Sequence, residues 1–243
     1  MLRGLGGIAV LLAIAWLLSE DRRRIPFRVV YSSLALQIAL ALLLVKFPPA
    51  ASALLFLNKA VDALQRATDA GTAFVFGYLG GAPPPFAEVH PGAGFILAFR
   101  ALPLVLVISA LATLLFYWGI LQRIVEAFAW MLRRTVGIGG ALGLGAAVHI
   151  FVGMTEAPLL IRPYLARMSR GELFALMTCG MAGIAGTVMV IYAAFLGASV
   201  PNALGNILIA SVISTPAAIA VSAMMIPFDS AAAENGKLTM DDP

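Results

Sequence analysis

A stretch from about Phe95 to Ile120 limits what this chain can fold into, because Arg100 is its only charged residue. A helix needs ~20 apolar residues to cross the hydrocarbon core of a bilayer, and backbone amides in hydrocarbon must find partners within the protein. The stretch therefore predicts a transmembrane helix. The composition agrees, since 61% of the residues are hydrophobic and 12% are charged, and it predicts an all-α integral membrane protein.

Four other apolar runs bring the expected number of transmembrane helices to about five. They cover Leu5–Leu18, about Val29–Val45, 173–196 and 204–228. The first run is not a signal peptide, because no small-x-small cleavage site precedes the charges that follow it. Arginines 22, 23, 24 and 28 lie between the first two runs. The positive-inside rule places that loop in the cytoplasm and the N-terminus outside.

The net charge of +4 comes from basic residues that gather at the ends of apolar runs. This distribution sets membrane orientation and gives no indication of nucleic-acid binding. Cys179 is the only cysteine in the chain. It therefore cannot form an intrachain disulfide, and it is best read as a small residue of the helix core.

Two segments have the alternating polar and apolar faces of helices that lie in the membrane interface. The segment 51–79 repeats leucine and valine at helical spacing among charged residues. The segment 121–138 does the same with four charged residues, and its arginines favour the cytoplasmic side.

Glu156 stands in the string Gly-Met-Thr-Glu-Ala-Pro-Leu-Leu-Ile-Arg-Pro, between two apolar segments too short to span a bilayer. A carboxylate in hydrocarbon costs several kcal/mol unless it faces a partner, a cavity or a substrate. The region 139–166 therefore predicts a re-entrant hairpin of two half-helices with a polar binding site at its tip. Pro158 is suited to opening the return helix.

Gly180, Gly183 and Gly186 recur every three residues in the span 173–196. Small residues at such spacing favour close helix packing. The functional alternative is that Gly183 to Val188 line a ligand cavity or unwind near the midplane.

At this point the sequence resembles the concentrative nucleoside transporter family. The resemblance lies in Thr72–Gly77, in Gly153–Pro163, in Gly183–Thr187 and in Ser214-x-Pro-Ala-Ala, and it runs to about Phe228. It implies a bacterial nucleoside:cation symporter of the inner membrane, assembled as a homotrimer, in which a transport domain moves against a scaffold. It also implies no enzymatic activity and no cofactor.

The resemblance implies a nucleobase site at Met154, Thr155, Glu156 and Val188. Thr155 can donate and accept, and an ionised Glu156 can accept from a base N–H. Met154 stands where the family has glutamine, so it removes two donors and an acceptor.

The family's sodium site would map onto His149, Val152, Gly183 and Ile184. Sodium favours hard oxygen ligands, yet His149 replaces an asparagine and Gly183 replaces a serine. We therefore expect coupling to protons, with His149 or Glu156 as the titrating group. The alternative for His149 is a neutral histidine that is hydrogen-bonded in a helix core.

The expected organisation follows the family. Residues 1–120 would form scaffold helices with the interfacial helix 51–79, and residues 121–138 would form the cytoplasmic interfacial helix. Residues 139–228 would belong to the transport domain, and 229–243 would be a polar tail. Family members continue with a second hairpin that binds the ribose, so we expect a C-terminal partner segment to be needed for transport.

Two other classes of function remain open at this stage. An intramembrane enzyme could use His149 and Glu156 as an acid–base pair, but no nucleophile or metal cluster accompanies them. A structural membrane subunit that lacks transport activity is the stronger alternative, and it would tolerate changes at Thr155 and Glu156.

Overall fold

The computed structural model of the chain describes residues 2–46, 48–87, 96–154, 157–196, 200 and 202–228. Within these residues every regular element is helical, which confirms the predicted all-α class. The α-helices are α1 Leu2–Leu17, α2 Phe27–Lys46, α3 Pro48–Phe76, α4 Leu97–Arg100, α5 Leu102–Tyr117, α6 Ile120–Val136, α7 Gly140–His149, α8 Ala157–Leu160, α9 Arg162–Leu165, α10 Arg170–Ala182, α11 Gly186–Leu196 and α12 Ala203–Met225. A 3₁₀ turn, Gly77–Gly80, follows α3.

Three segments of the described chain are long and apolar enough to cross a membrane. They are Phe27–Leu44, Leu97–Tyr117 and Ala203–Met225. The first predicted span corresponds to α1, which has only 16 residues. The predicted continuous span 173–196 is instead divided into α10 and α11 by a non-helical break at 183–185.

The chain forms two compact units. The first unit contains Met1–Val45, Gln122–Gly186 and Ile209–Pro243, and the second contains Lys46–Leu121 and Thr187–Leu208. Helices α1 and α2 belong to the first unit, which also holds helix α7. The reason is a shared core: Val29 and Val30 of α2 are buried in one cluster with residues of α6, α7 and α12.

Helix α6 shows how its sequence produces this packing. Its buried residues are Val125, Ala129, Leu132 and Val136, each 1–2% exposed and spaced three or four apart on one face. The opposite face carries exposed Arg123, Ile124, Trp130 and Arg134. The helix stops where Gly137 adopts φ 76°, a left-handed conformation that glycine takes without strain.

The start of α10 is fixed by a reciprocal hydrogen-bonded cap. The Glu172 N–H donates to Ser169 Oγ at 3.3 Å, and the Ser169 N–H donates to Glu172 Oε2 at 2.8 Å. Each side chain thus satisfies an amide that the first helical turn leaves without a partner. Since α10 faces the hairpin helix α7, this cap helps to set the register of the site described next.

Candidate functional site

Helix α7 is the inner limb of the hairpin, and it is almost completely buried in the first unit. Its sequence, Gly-Ala-Leu-Gly-Leu-Gly-Ala-Ala-Val-His, places glycine where neighbouring helices come close. A side chain at Gly145 would collide with Leu176 of α10 and Ile161 at the start of α9. Glycine at this position therefore lets α7 lie directly against α10. This close approach places His149, at the end of α7, in the interior.

The imidazole of His149 occupies the space beside Gly180 of α10. A Cβ added at Gly180 would lie 2.7 Å from His149 Cε1 and 3.0 Å from Met154 Cβ. Such distances are too short for carbon contacts, so only glycine fits there. The close-packing reading of the glycine repeat is therefore confirmed at Gly180.

His149 is 3% exposed, and neither ring nitrogen has a hydrogen-bond partner among the residues that the structure describes. A neutral imidazole carries one N–H donor and one acceptor. Leaving both without partners in a buried position is costly, and native proteins rarely do so without a functional reason. The described residues thus give no support to a histidine that is hydrogen-bonded within the core.

The break between α10 and α11 passes next to the backbone of His149. A Cβ at Gly183 would lie 3.5 Å from the carbonyl oxygen of His149. The N–H of Ile184, which would point back into a continuous helix, instead donates to Ser211 Oγ of α12 at 3.4 Å. The unwinding alternative for this region is therefore the observed one, although it begins at Gly183 and ends before Gly186.

Phe151 ties the hairpin turn to the break. Its carbonyl accepts the N–H of Gly186 at 3.1 Å, and a Cβ at Gly186 would lie 2.7 Å from the same oxygen. Its ring packs edge-on against Phe128 of α6, with 5.9 Å between the centroids. Phe151 is thus held at both its backbone and its ring.

Sequence reasoning missed Ser211 and Phe151 as parts of the site. A usable signal for Ser211 was present, because Ser211, Ser214 and Thr215 form a polar cluster within the apolar helix α12. Ser211 is 2% exposed, and its carbonyl accepts from both Ser214 Oγ and Thr215 Oγ1. Phe151 had no such signal, since an apolar residue in a hydrophobic hairpin is unremarkable by itself.

The structure brings together part of the predicted site. His149, Gly183 and Ile184 meet in the first unit, and Val152 is half-buried in the hairpin turn that begins beside them. Met154 is 52% exposed. Thr155 and Glu156 lie outside the described residues. Val188, 38% exposed, belongs to the second unit.

Neither His149 nor Gly183 offers a hard oxygen ligand from its side chain. In the described part of the chain no group of three or more His, Cys, Asp or Glu side chains could hold a metal ion. Gly183 offers no hydroxyl, so at this position sodium would have to rely on backbone carbonyls, such as that of His149.

Comparisons with known proteins identify relatives of this chain. A family model described as the N-terminus of Na⁺-dependent nucleoside transporters matches residues 6–79, and a model described as nucleoside recognition matches residues 98–199. An uncharacterised transporter of Haemophilus influenzae is 38% identical over 91% of this chain and 50% of its own length. The sodium/nucleoside cotransporter 2 of Rattus norvegicus is 34% identical over 91% of this chain and 31% of its own length.

A solved structure of CNTnw in an inward-facing substrate-bound state superposes with a TM-score of 0.86 at 34% identity, covering 100% of this chain and 57% of that chain. An outward-facing state of a CNTnw variant gives a TM-score of 0.81. The chain spans about half the length of the first curated relative that it matches, and less of the rat cotransporter. The two family models together match more than half of the chain, which therefore belongs to the concentrative nucleoside transporter family and corresponds to its N-terminal portion.

Proposed function

We propose that this chain is the nucleobase-recognising part of a cation-coupled nucleoside symporter in a bacterial inner membrane. The match of residues 98–199 to the nucleoside recognition model carries the proposal, because that segment contains the whole hairpin. The buried α7, the turn that follows it and the broken helix opposite support a polar site enclosed by apolar helices. In this proposal Met154, Thr155 and Glu156 contact the base, and the family resemblance further implies an apolar base contact at Val188.

The coupling ion in this proposal is the proton, and His149 or Glu156 carries it. The supporting observation is the buried imidazole, whose two nitrogens have no hydrogen-bond partner among the described residues. Proton uptake at such a ring needs a partner that accepts from the charged form, and bound substrate or Glu156 can provide one. Val152 and Ile184 then contribute backbone groups to the site and do not ligate sodium.

The test is uridine uptake by transporter-deficient bacteria that express this chain together with its downstream reading frame. We expect uptake to follow an imposed proton gradient and to be unaffected by replacing sodium with choline. Glu156→Gln and Thr155→Ala should each reduce uptake at least tenfold if they lose one charge-assisted or buried hydrogen bond to the base, worth about 1.5–3 kcal/mol. Arg123→Gln, an exposed change on α6, is the control.

Uptake that is unchanged in both hairpin variants would favour the second candidate, a structural membrane subunit.

The assembly is also part of the proposal: a homotrimer completed by a C-terminal segment, as the family resemblance implies. Light scattering of the purified assembly measures the number of copies, and expression without the downstream frame should give no uptake. An orientation with the N-terminus outside is supported by the arginines between α1 and α2.

A further inference from the structure

The second unit contains a cavity that has no place in the proposed transport site. Its volume is about 210 Å³, several times that of one water molecule. Four helices line it: Gln65 and Asp69 lie in α3, Arg100 ends α4, Leu104 lies in α5 with Ala101 just before that helix, and Ile191 and Phe195 lie in α11. All of these residues belong to the second unit.

Helices α3 and α11 each contribute a pair of residues four apart, so each presents one face to the cavity. The pair on α3 is polar, since it consists of Gln65 and Asp69. The pair Ile191 and Phe195 on α11 is apolar. Between them, Arg100 and Leu104 are a charged residue and an apolar residue one helical turn apart. The cavity is therefore lined by polar residues from α3 and by apolar residues from α11.

The depth of the cavity follows from the position of Arg100 in its span. The apolar segment Leu97–Tyr117 has 21 residues, which at ~1.5 Å per residue matches the ~30 Å of a hydrocarbon core. Arg100 is the fourth residue of that segment, so it lies about 5 Å from one end, where a guanidinium reaches the head groups. Leu104 lies one turn deeper and is 3% exposed.

Charged side chains of both signs, Arg100 and Asp69, line the cavity. The Arg100 guanidinium lies beside Gly81, where a Cβ would be 3.2 Å from its Nε. The side chains of Gln65 and Asp69 are half-buried, and neither makes a hydrogen bond or ion pair to another residue in the described part of the chain. A guanidinium and a half-buried carboxylate that line one cavity suit a ligand that carries a phosphate and an ammonium group.

We propose that this cavity binds a phospholipid with a zwitterionic head group of the phosphoethanolamine type. The lipid phosphate pairs with Arg100, and its ammonium group is bound by Asp69 and the Gln65 amide oxygen. The apolar wall, Leu104, Ile191 and Phe195, takes the glycerol and the first methylenes of the acyl chains. The site is separate from the transport site, and its occupancy does not require that transport proposal to be correct.

The test is native mass spectrometry of the purified chain from membranes that contain equal amounts of phosphatidylethanolamine and phosphatidylglycerol. We expect the chain to retain more phosphatidylethanolamine than phosphatidylglycerol. Asp69→Asn and Arg100→Gln should each reduce its retention about tenfold, the effect of losing one charge-assisted contact. Asp69→Glu keeps the carboxylate and should retain the lipid. Arg66→Gln, an exposed change on α3 that does not line the cavity, should leave retention unchanged.

A second measurement keeps the proposal testable if a variant is unstable. Added phosphatidylethanolamine should raise the unfolding temperature of the unaltered chain more than added phosphatidylglycerol does. Equal retention of the two lipids, or retention of neither, would overturn the proposal. Binding of soluble phosphoethanolamine as tight as that of the lipid would assign the cavity to a free compound and would also overturn it.

Discussion

The ring of His149 lies where a side chain at Gly180 would have to be, with Cε1 only 2.7 Å from the position of a Cβ. The titratable ring of His149 in the hairpin therefore packs directly against the backbone of α10 at Gly180. This relationship links the position of the proposed proton carrier to the stability of the fold.

Substitution of Gly180 by alanine should destabilise the chain because the new methyl group overlaps the imidazole. Overpacking of this kind costs about 1–3 kcal/mol. Thermal unfolding in detergent should show a lower midpoint for Gly180→Ala. The matched control is Gly183→Ala, where the nearest atom to the new Cβ is 3.5 Å away, so its midpoint should stay near that of the unaltered chain. The double change His149→Ala with Gly180→Ala should recover part of the loss, and an additive result would contradict direct contact.

The break in the helix pair α10–α11 should depend on Ser211. Its hydroxyl accepts the Ile184 N–H at 3.4 Å, and a long neutral hydrogen bond of this kind contributes about 0.5–1.5 kcal/mol. Ser211→Ala should therefore speed hydrogen exchange at the Ile184 amide, as measured by mass spectrometry. Ser211→Thr should restore protection because it keeps the hydroxyl. Ser214→Ala removes a neighbouring hydroxyl of the same helix, so exchange at Ile184 that rises equally in this variant would argue against a specific role for Ser211.

Sodium binding should appear when the oxygen ligands expected from the family are restored. The double variant His149→Asn with Gly183→Ser supplies an amide oxygen and a hydroxyl, and the 3.5 Å clearance at Gly183 leaves room for the serine Cβ. Sodium should then raise the unfolding temperature of the double variant relative to potassium, since a ligand that binds only the folded state stabilises it. The unaltered chain should show no such difference. A sodium-dependent rise in the unaltered chain would contradict the proton-coupling proposal.

The hydrogen-bonded cap of α10 should contribute more to the free energy of unfolding than the neighbouring ion pair. Ser169→Ala removes the acceptor of the Glu172 N–H and should cost about 0.5–2 kcal/mol. Glu20→Gln breaks an exposed pair with Arg170 at 2.8 Å, and such surface pairs contribute about 0–1 kcal/mol. Urea titration of both variants compares the two losses directly. A larger loss for Glu20→Gln would mean that the loop between α1 and α2 is anchored through this pair.

The break between α10 and α11 is a feature that the local sequence does not determine. Residues 173–196 are apolar throughout most of their length, and nothing between Gly183 and Ala185 excludes a helix as proline would. The break is stabilised by Ser211, 27 residues away, and by Phe151, whose carbonyl receives the Gly186 N–H. Helix propensity and hydropathy are local properties, so they do not take account of hydrogen-bond partners from other helices. The sequence pattern could therefore suggest unwinding here but could not decide it.

The sequence alone determined the helical membrane class, the family and the choice of His149 as an unusual residue for its position. These follow from local properties: apolar run length, charge placement and the specific string around Glu156. Only the tertiary structure decided that the His149 ring rests on Gly180, that Ser211 holds the unwound backbone, and that α1 and α2 share a core with the hairpin. The reason is that burial and the pairing of backbone amides depend on which helices become neighbours in space, and sequence distance does not fix those neighbours.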